Sequence, residues 1–123
     1  MGIDYGLERT GIAISTMGVA QPLVTVSTKI IFKKLDEITE ENKDIKGIVV
    51  GKPTEGEMKE IIDKFVISLK QRYSIPVYLW DESFSTKKAE EIIRKMKGKP
   101  SKEKERVDKI AASIILEEFL ENR

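Results

Sequence analysis

The chain has 123 residues, a length suited to one domain with a single modest core, and its 22 Lys and Arg nearly balance its 21 Asp and Glu. It contains no cysteine and no histidine. That excludes disulfides, thiolate nucleophiles, Cys-ligated zinc or iron–sulfur clusters, and any imidazole base or ligand. Acid–base or metal chemistry therefore falls to Asp, Glu, Lys, Tyr, Ser and Thr. A bound metal would have oxygen ligands, which favours Mg²⁺ or Mn²⁺. No apolar run is long enough to span a membrane and no signal-peptide pattern opens the chain, so a cytoplasmic protein is expected. Abundant Lys and Glu with scarce Asn and Gln is a composition associated with hot environments.

The opening stretch, Met1 to Ser15, reads as a short strand, a Gly-containing turn and a second strand. Asp4 lies between Ile3 and Tyr5, and alternation along a strand turns it away from both large neighbours. A carboxylate near a sheet interior is costly unless it is paired or bound to a metal. Gly6 and Gly11 leave open space beside it. On these residues alone Asp4 either caps a turn or serves a site. Gly11 to Met17 predicts strand two. Val19 to Val26 predicts strand three, with Pro22 pointing to a sheet edge. Ser27 or Thr28 is placed to cap a helix from about Lys29 to Asn42, with Ile31, Leu35 and Ile38 on one face.

Lys46 to Gly51 reads as a fully buried strand, followed by a loop to Gly56. Ile61, Ile62, Phe65 and Leu69 mark the inner face of a helix from Glu57 to Arg72. Ile75 to Trp80 predicts a fifth strand, and the strand–helix–strand order in this half implies right-handed parallel crossovers. Asp81 and Glu82 end that strand. Ser85 or Thr86 is placed to cap a helix to about Met96, a basic loop follows from Lys97 to Lys104, and the last helix runs from about Glu105 to Leu120. The chain shows no internal repeat, and residues 1–123 are expected to form one domain.

Three acidic positions fall where site residues belong: Asp4 in strand one, Asp81-Glu82 at the end of strand five, and Asp108 in the first turn of the last helix, before the small Ala111 and Ala112. Ligands in open sheets with parallel crossovers gather at the carboxyl ends of strands. Three bare carboxylates repel one another, which one divalent cation relieves, or two held ~3.5–4 Å apart as in nucleases and polymerases. Each acid taken singly is equally a turn residue or a helix-dipole partner. Between Lys87 and Lys109 ten Lys or Arg face five acids, a basic stretch that reads either as a phosphate-holding patch or as a solvated face.

Gly2-Ile-Asp-Tyr-Gly6, Arg9 and Gly11-Ile-Ala-Ile-Ser15 resemble the opening motif of the YqgF family, also called RuvX. Its members are described as candidate pre-16S rRNA nucleases or Holliday-junction resolvase-like proteins. The resemblance continues through Ala20-Gln-Pro-Leu23, Ile48-Val-Val-Gly51 with Pro53, Asp81-Glu82 with Thr86 and Ala89, and Val107-Asp-Lys-Ile-Ala-Ala112 with Ile115-Leu116. It implies an α/β, ribonuclease H-like fold: a five-stranded mixed sheet in the order 3-2-1-4-5, flanked by helices.

It further implies that Asp4, Glu82 and Asp108 hold metal ions, two in number, that activate water against a phosphodiester. Arg9 is implied as a phosphate contact, beside the basic residues Lys87, Arg94, Lys102, Lys104 and Arg106. The expected partner is nucleic acid, structured RNA or branched DNA, bound by a monomer or homodimer. Junction cleavage calls for two sites and hence a symmetric dimer. Three departures stand out. Ser83 replaces an Arg, removing one cation beside the substrate. The loop after Gly51 is short. The chain starts three residues before Asp4, which puts its terminal amine within ~10 Å of the site. Ser83 and the short start favour a rival reading, a nucleic-acid-binding module without catalysis. A kinase-like phosphate loop would need a second comparable domain, which 123 residues do not provide.

Overall fold

A computed structural model of the protein describes residues 1–52, 56–81 and 100–122, with side chains in the last helix from Arg106 onward. Its elements are β1 (Gly2–Asp4), β2 (Arg9–Thr16), β3 (Val19–Ser27), a 3-10 turn (Thr28–Ile30), α1 (Ile31–Glu41), β4 (Ile48–Lys52), α2 (Glu57–Arg72), β5 (Val77–Asp81) and α3 (Pro100–Asn122). The five strands form one sheet in the order β3-β2-β1-β4-β5. β1, β2 and β3 pair antiparallel, whereas β4 is parallel to both β1 and β5. This is the mixed sheet expected from the sequence.

Strand alternation gives the sheet two unlike faces. One face carries Ile3, Ile12, Ile48 and Val50, packed against Ile31, Leu35 and Ile38 of α1 and Ile62, Phe65, Val66 and Leu69 of α2. Their helical spacing is the amphipathic pattern legible in the sequence. The other face carries Ala13 and Val49, packed against Ala112, Ile115 and Leu116 of α3. Tyr5, the residue after Asp4, stacks on Phe65 with ring centroids 4.1 Å apart, so both neighbours of Asp4 belong to the α1–α2 side.

Pro22 sits on edge strand β3, as expected. The register passes from Ile12↔Val24 to Ala13↔Pro22, which leaves Leu23 as the extra residue of a bulge. Four expectations are corrected. The basic stretch before Asp108 is not a loop throughout, because α3 starts at Pro100. A proline preorganises the first helical position, and the Lys and Glu that follow are good helix formers. Asp108, eight residues past Pro100, therefore stands in the third turn rather than the first, and a helix-dipole role is removed.

Thr28 does not cap α1: neither it nor Ser27 makes a side-chain cap bond, and the Thr28 hydroxyl donates to the Gly6 carbonyl at 2.7 Å. Finally, β5 starts at Val77 and extends to Asp81. Pro76 has no N–H to enter the ladder, although its carbonyl accepts from Ile48 at 2.9 Å. The helix expected between Ser85 and Met96 lies outside the described residues. No helix among the described residues is long and apolar enough to cross a membrane.

Candidate active site

Asp4 is the last residue of β1 and stands directly opposite Gly11 of β2, which in turn stands opposite Thr25 of β3. Cross-strand partners share a face, so Thr25, Gly11 and Asp4 form one row. Alternation along β2 puts Arg9 and Ala13 on that face too, and Ala13 packs against α3. The row therefore faces α3, and Asp4 does so as the sequence reading required.

Gly11 sets how close α3 comes. A β-carbon at Gly11 would overlap the Asp108 carbonyl and stand 2.7 Å from the Lys109 nitrogen, closer than non-bonded atoms sit. A β-carbon at Gly2, two positions before Asp4 on β1, would stand 2.7 Å from the Ala112 carbonyl oxygen and 2.8 Å from Leu116 Cβ. Only residues without side chains let the helix backbone rest on the strands in this way. The contact carries Asp108 to the row that holds Asp4. The Asp108 side chain, 18% exposed, accepts a 2.7 Å charge-assisted hydrogen bond from Arg9 Nε. The sequence does not reveal this pair, since Arg9 and Asp108 are 99 residues apart and the chemistry of each suits a ligand as well as it suits the other.

A buried polar group steadies the loop between Asp4 and Arg9. Thr28 donates to the Gly6 carbonyl, so the 2.8 Å link between the Thr10 and Thr28 hydroxyls has Thr10 as donor. The Thr28 amide also donates to the Glu8 carbonyl at 2.9 Å. Thr10 is fully buried, and its hydroxyl is satisfied within this cluster. The β-branched Thr10, next to Arg9 in an alternating strand, was the available but unused signal.

The remaining predicted residues divide. Asp81 pairs with Lys52 on the face opposite Asp4. Its neighbour Trp80 is the one that meets α3, edge-on to Phe119 at 6.0 Å. Lys52 itself pairs with Asp63 of α2. Glu82, Lys87 and Arg94 lie outside the described residues, as does Ser83. Lys102 and Lys104 occupy the first turns of α3, Lys104 one turn before Asp108. Arg106 is two residues before Asp108, about 200° around the helix from it, and so does not share its face. The terminal amine donates to the Gly47 carbonyl at 2.9 Å, at the end of β1 away from Asp4, and burial lowers its pKa to about 6.

Two carboxylates on one face, with no imidazole or thiolate in the chain, are the donor chemistry of a hard divalent cation. Among the described residues no third acid joins Asp4 and Asp108. A cavity of about 610 Å³ opens at the opposite end of the sheet, lined by Ser15, Thr16, Gly47, Tyr78 and Phe119 among others. It includes none of Asp4, Arg9 and Asp108, and Asp44 is its one acidic residue among those described, so the chemistry does not belong there.

Residues 1–122 match the family described as "RuvX: Holliday junction resolvase". A protein of Thermoanaerobacter pseudethanolicus named "Putative pre-16S rRNA nuclease" is 36% identical, over all of this chain and 96% of that protein. Proteins of the same name are 37% identical in Syntrophus aciditrophicus, over 98% of this chain and 87% of theirs, and 33% identical in Rickettsia rickettsii, over 99% and 85%. The likeness runs from the Asp4 strand through the whole sheet and along α3, and on that ground this chain belongs to the RuvX family and has its ribonuclease H-like fold.

Proposed function

We propose that this protein is a nuclease that hydrolyses nucleic-acid phosphodiesters and processes the 5′ end of the precursor of small-subunit ribosomal RNA in the cytoplasm. One observation carries the reading: Gly11 seats α3 so closely that Asp108 shares the face of the sheet on which Asp4 stands. The names of the relatives supply the substrate class.

In this reading Asp4, Glu82 and Asp108 hold two divalent ions, Mg²⁺ or Mn²⁺. Such ions, when bound, supply acidification of a water and neutralisation of charge on the phosphate and leaving oxygen. Asp4 and Asp108 orient the donors from a rigid strand and a rigid helix. Arg9 binds a phosphate, and the positive charge of Lys87, Arg94, Lys102, Lys104 and Arg106 attracts the nucleic-acid backbone. That attraction weakens steeply with salt. Ser83, in place of a cation, lowers activity rather than abolishing it.

The test is a cleavage assay with precursor ribosomal RNA and four-way DNA junctions, each with Mg²⁺ or Mn²⁺. Asp4→Asn is expected to reduce cleavage of the RNA about a hundredfold or more, since a ligand to the ions contributes several kcal/mol. Equal cleavage by wild type and variant rejects the reading. The family's description favours one alternative, resolution of a DNA junction. Preferential cutting of the junction by a homodimer selects that alternative, whereas a strictly monomeric protein in solution weakens it. RNA binding that is indifferent to Mg²⁺, without cleavage, identifies a binding module.

A further inference from the structure

The Arg9–Asp108 pair joins two groups to which the proposed function gives separate ligands. The divalent ion needs the Asp108 carboxylate, and the substrate phosphate needs the Arg9 guanidinium. In the structure each is occupied by the other, through a 2.7 Å bond from Arg9 Nε to Asp108 Oδ2. The two partners are not equally able to leave. Asp108 sits on a helix whose backbone lies against Gly11 with no room to move inward, and its side chain is 18% exposed. Arg9 opens β2 with a side chain 40% exposed, on a long flexible stem. Any exchange therefore moves Arg9 and leaves Asp108 in place. The planar guanidinium fork fits phosphate oxygens as well as it fits a carboxylate.

We propose that Arg9 is an exchangeable counter-ion: it neutralises Asp108 before the metal arrives, yields that carboxylate to the divalent ion, and transfers to a phosphate of the nucleic acid. This inference rests on the nuclease reading and adds a coupling to it. A phosphate that captures Arg9 exposes Asp108 to the ion, and an ion that captures Asp108 releases Arg9 to the phosphate. Metal and nucleic acid thus strengthen each other's binding by the same factor. Arg9 acts as a positioning residue before the substrate binds and as a phosphate contact afterwards.

The experiment is calorimetric titration of Mn²⁺ into the full chain without nucleic acid, for wild type, Arg9→Gln, Arg9→Lys and Asp4→Asn. Removing the competing cation is expected to tighten Mn²⁺ binding about three- to fivefold in Arg9→Gln, the scale of a partly exposed ion pair. Arg9→Lys, which keeps a cation, stays near wild type. Unchanged or weaker Mn²⁺ binding in Arg9→Gln overturns the exchange, and weaker binding with a lower Tm marks Arg9 as a structural clamp. Should Arg9→Gln fail to fold, Arg9→Met removes the charge and keeps the apolar stem.

A second measurement follows a labelled RNA with Ca²⁺ or with EDTA. Arg9→Gln is expected to flatten the slope of log affinity against log salt by about one in Ca²⁺ and by clearly less in EDTA, where Asp108 competes for Arg9. Equal flattening in both buffers overturns the exchange. The Asp4→Asn arm separates the two levels. A wild type with no Asp4-dependent Mn²⁺ site removes the nuclease reading together with the exchange. An Asp4-dependent site indifferent to Arg9 removes the exchange alone.

Discussion

The two faces of the sheet are packed by opposite means. The face toward α1 and α2 is filled by volume: Ile3, Ile12, Leu35, Ile48, Ile62 and Leu69 are all but inaccessible to solvent. The face toward α3 is closed by removing volume, with Gly2, Gly11, Ala13 and Ala112 at the contact. Large branched side chains hold helices at a distance and contribute stability through buried area, roughly 1.5–3 kcal/mol for each fully buried Leu or Ile. Glycine and alanine bury little area. They bring backbone near backbone, so that the strands set how far the helix stands from the sheet. The first face contributes most of the buried area, and the second sets Asp108 on the face of the sheet that carries Asp4.

Three substitutions test this contrast. Leu69→Ala hollows the volume-filled face and is expected to cost about 2–5 kcal/mol. Urea unfolding reads the loss, while cleavage per folded molecule stays near wild type. Gly11→Ala overpacks the other face, at about 1–3 kcal/mol. Its larger effect is on chemistry, because shifting Asp108 by about 1 Å is enough for a roughly hundredfold drop in cleavage. A Gly11→Ala protein that loses stability but cleaves normally would erase the distinction between the faces.

The smallest effect belongs to a staple on the outside of the volume-filled face. Asp36 of α1 accepts hydrogen bonds from Arg72 and from the Tyr73 hydroxyl at 2.7 Å. Arg72 also lies 5.2 Å from the centre of the Phe32 ring. The Arg72 hydrogen bond, then that of Tyr73, lowers the Asp36 pKa from 3.8 to about 2. The sign follows directly: a depressed carboxyl adds stability that is complete above its unfolded value and is lost as pH falls through about 2. Burial first, and then the bond to Asp36, raises Tyr73 to about 12, so its share is lost as pH rises through that value. Asp36→Asn is therefore expected to lower Tm slightly at pH 7, with the difference from wild type shrinking below about pH 4 and vanishing only once the pH is well below about 2. A Tm gap that persists there shows that the staple acts through something other than charge.

Much of the fold was legible before any coordinates. The strand pattern, the edge position marked by Pro22 and the buried residues of α1 and α2 follow from side-chain periodicity, which is a local property. Boundaries were less legible. Pro100 reads as a loop residue beside Gly98 and Lys99, yet it is also well suited to open a helix, and only the packing of α3 on the sheet selects between the two. Thr28 reads as a helix cap because its chemistry fits one, but the Gly6 carbonyl competes for its hydroxyl from 22 residues away. Candidate site residues are legible by type. Asp4, Arg9 and Asp108 were each singled out, whereas their pairing was not.

Local pattern and composition dictate the order of elements, the alternation that turns Asp4 away from the α1–α2 core, and a metal chemistry limited to oxygen donors by the absence of His and Cys. These depend on neighbours along the chain or on composition alone. Tertiary structure decided that Asp81 faces away from Asp4, that Gly11 is the seat of α3, and that Arg9 closes on Asp108. Those outcomes depend on how nearly a helix backbone approaches a strand nearly a hundred residues earlier, a distance that no local pattern encodes.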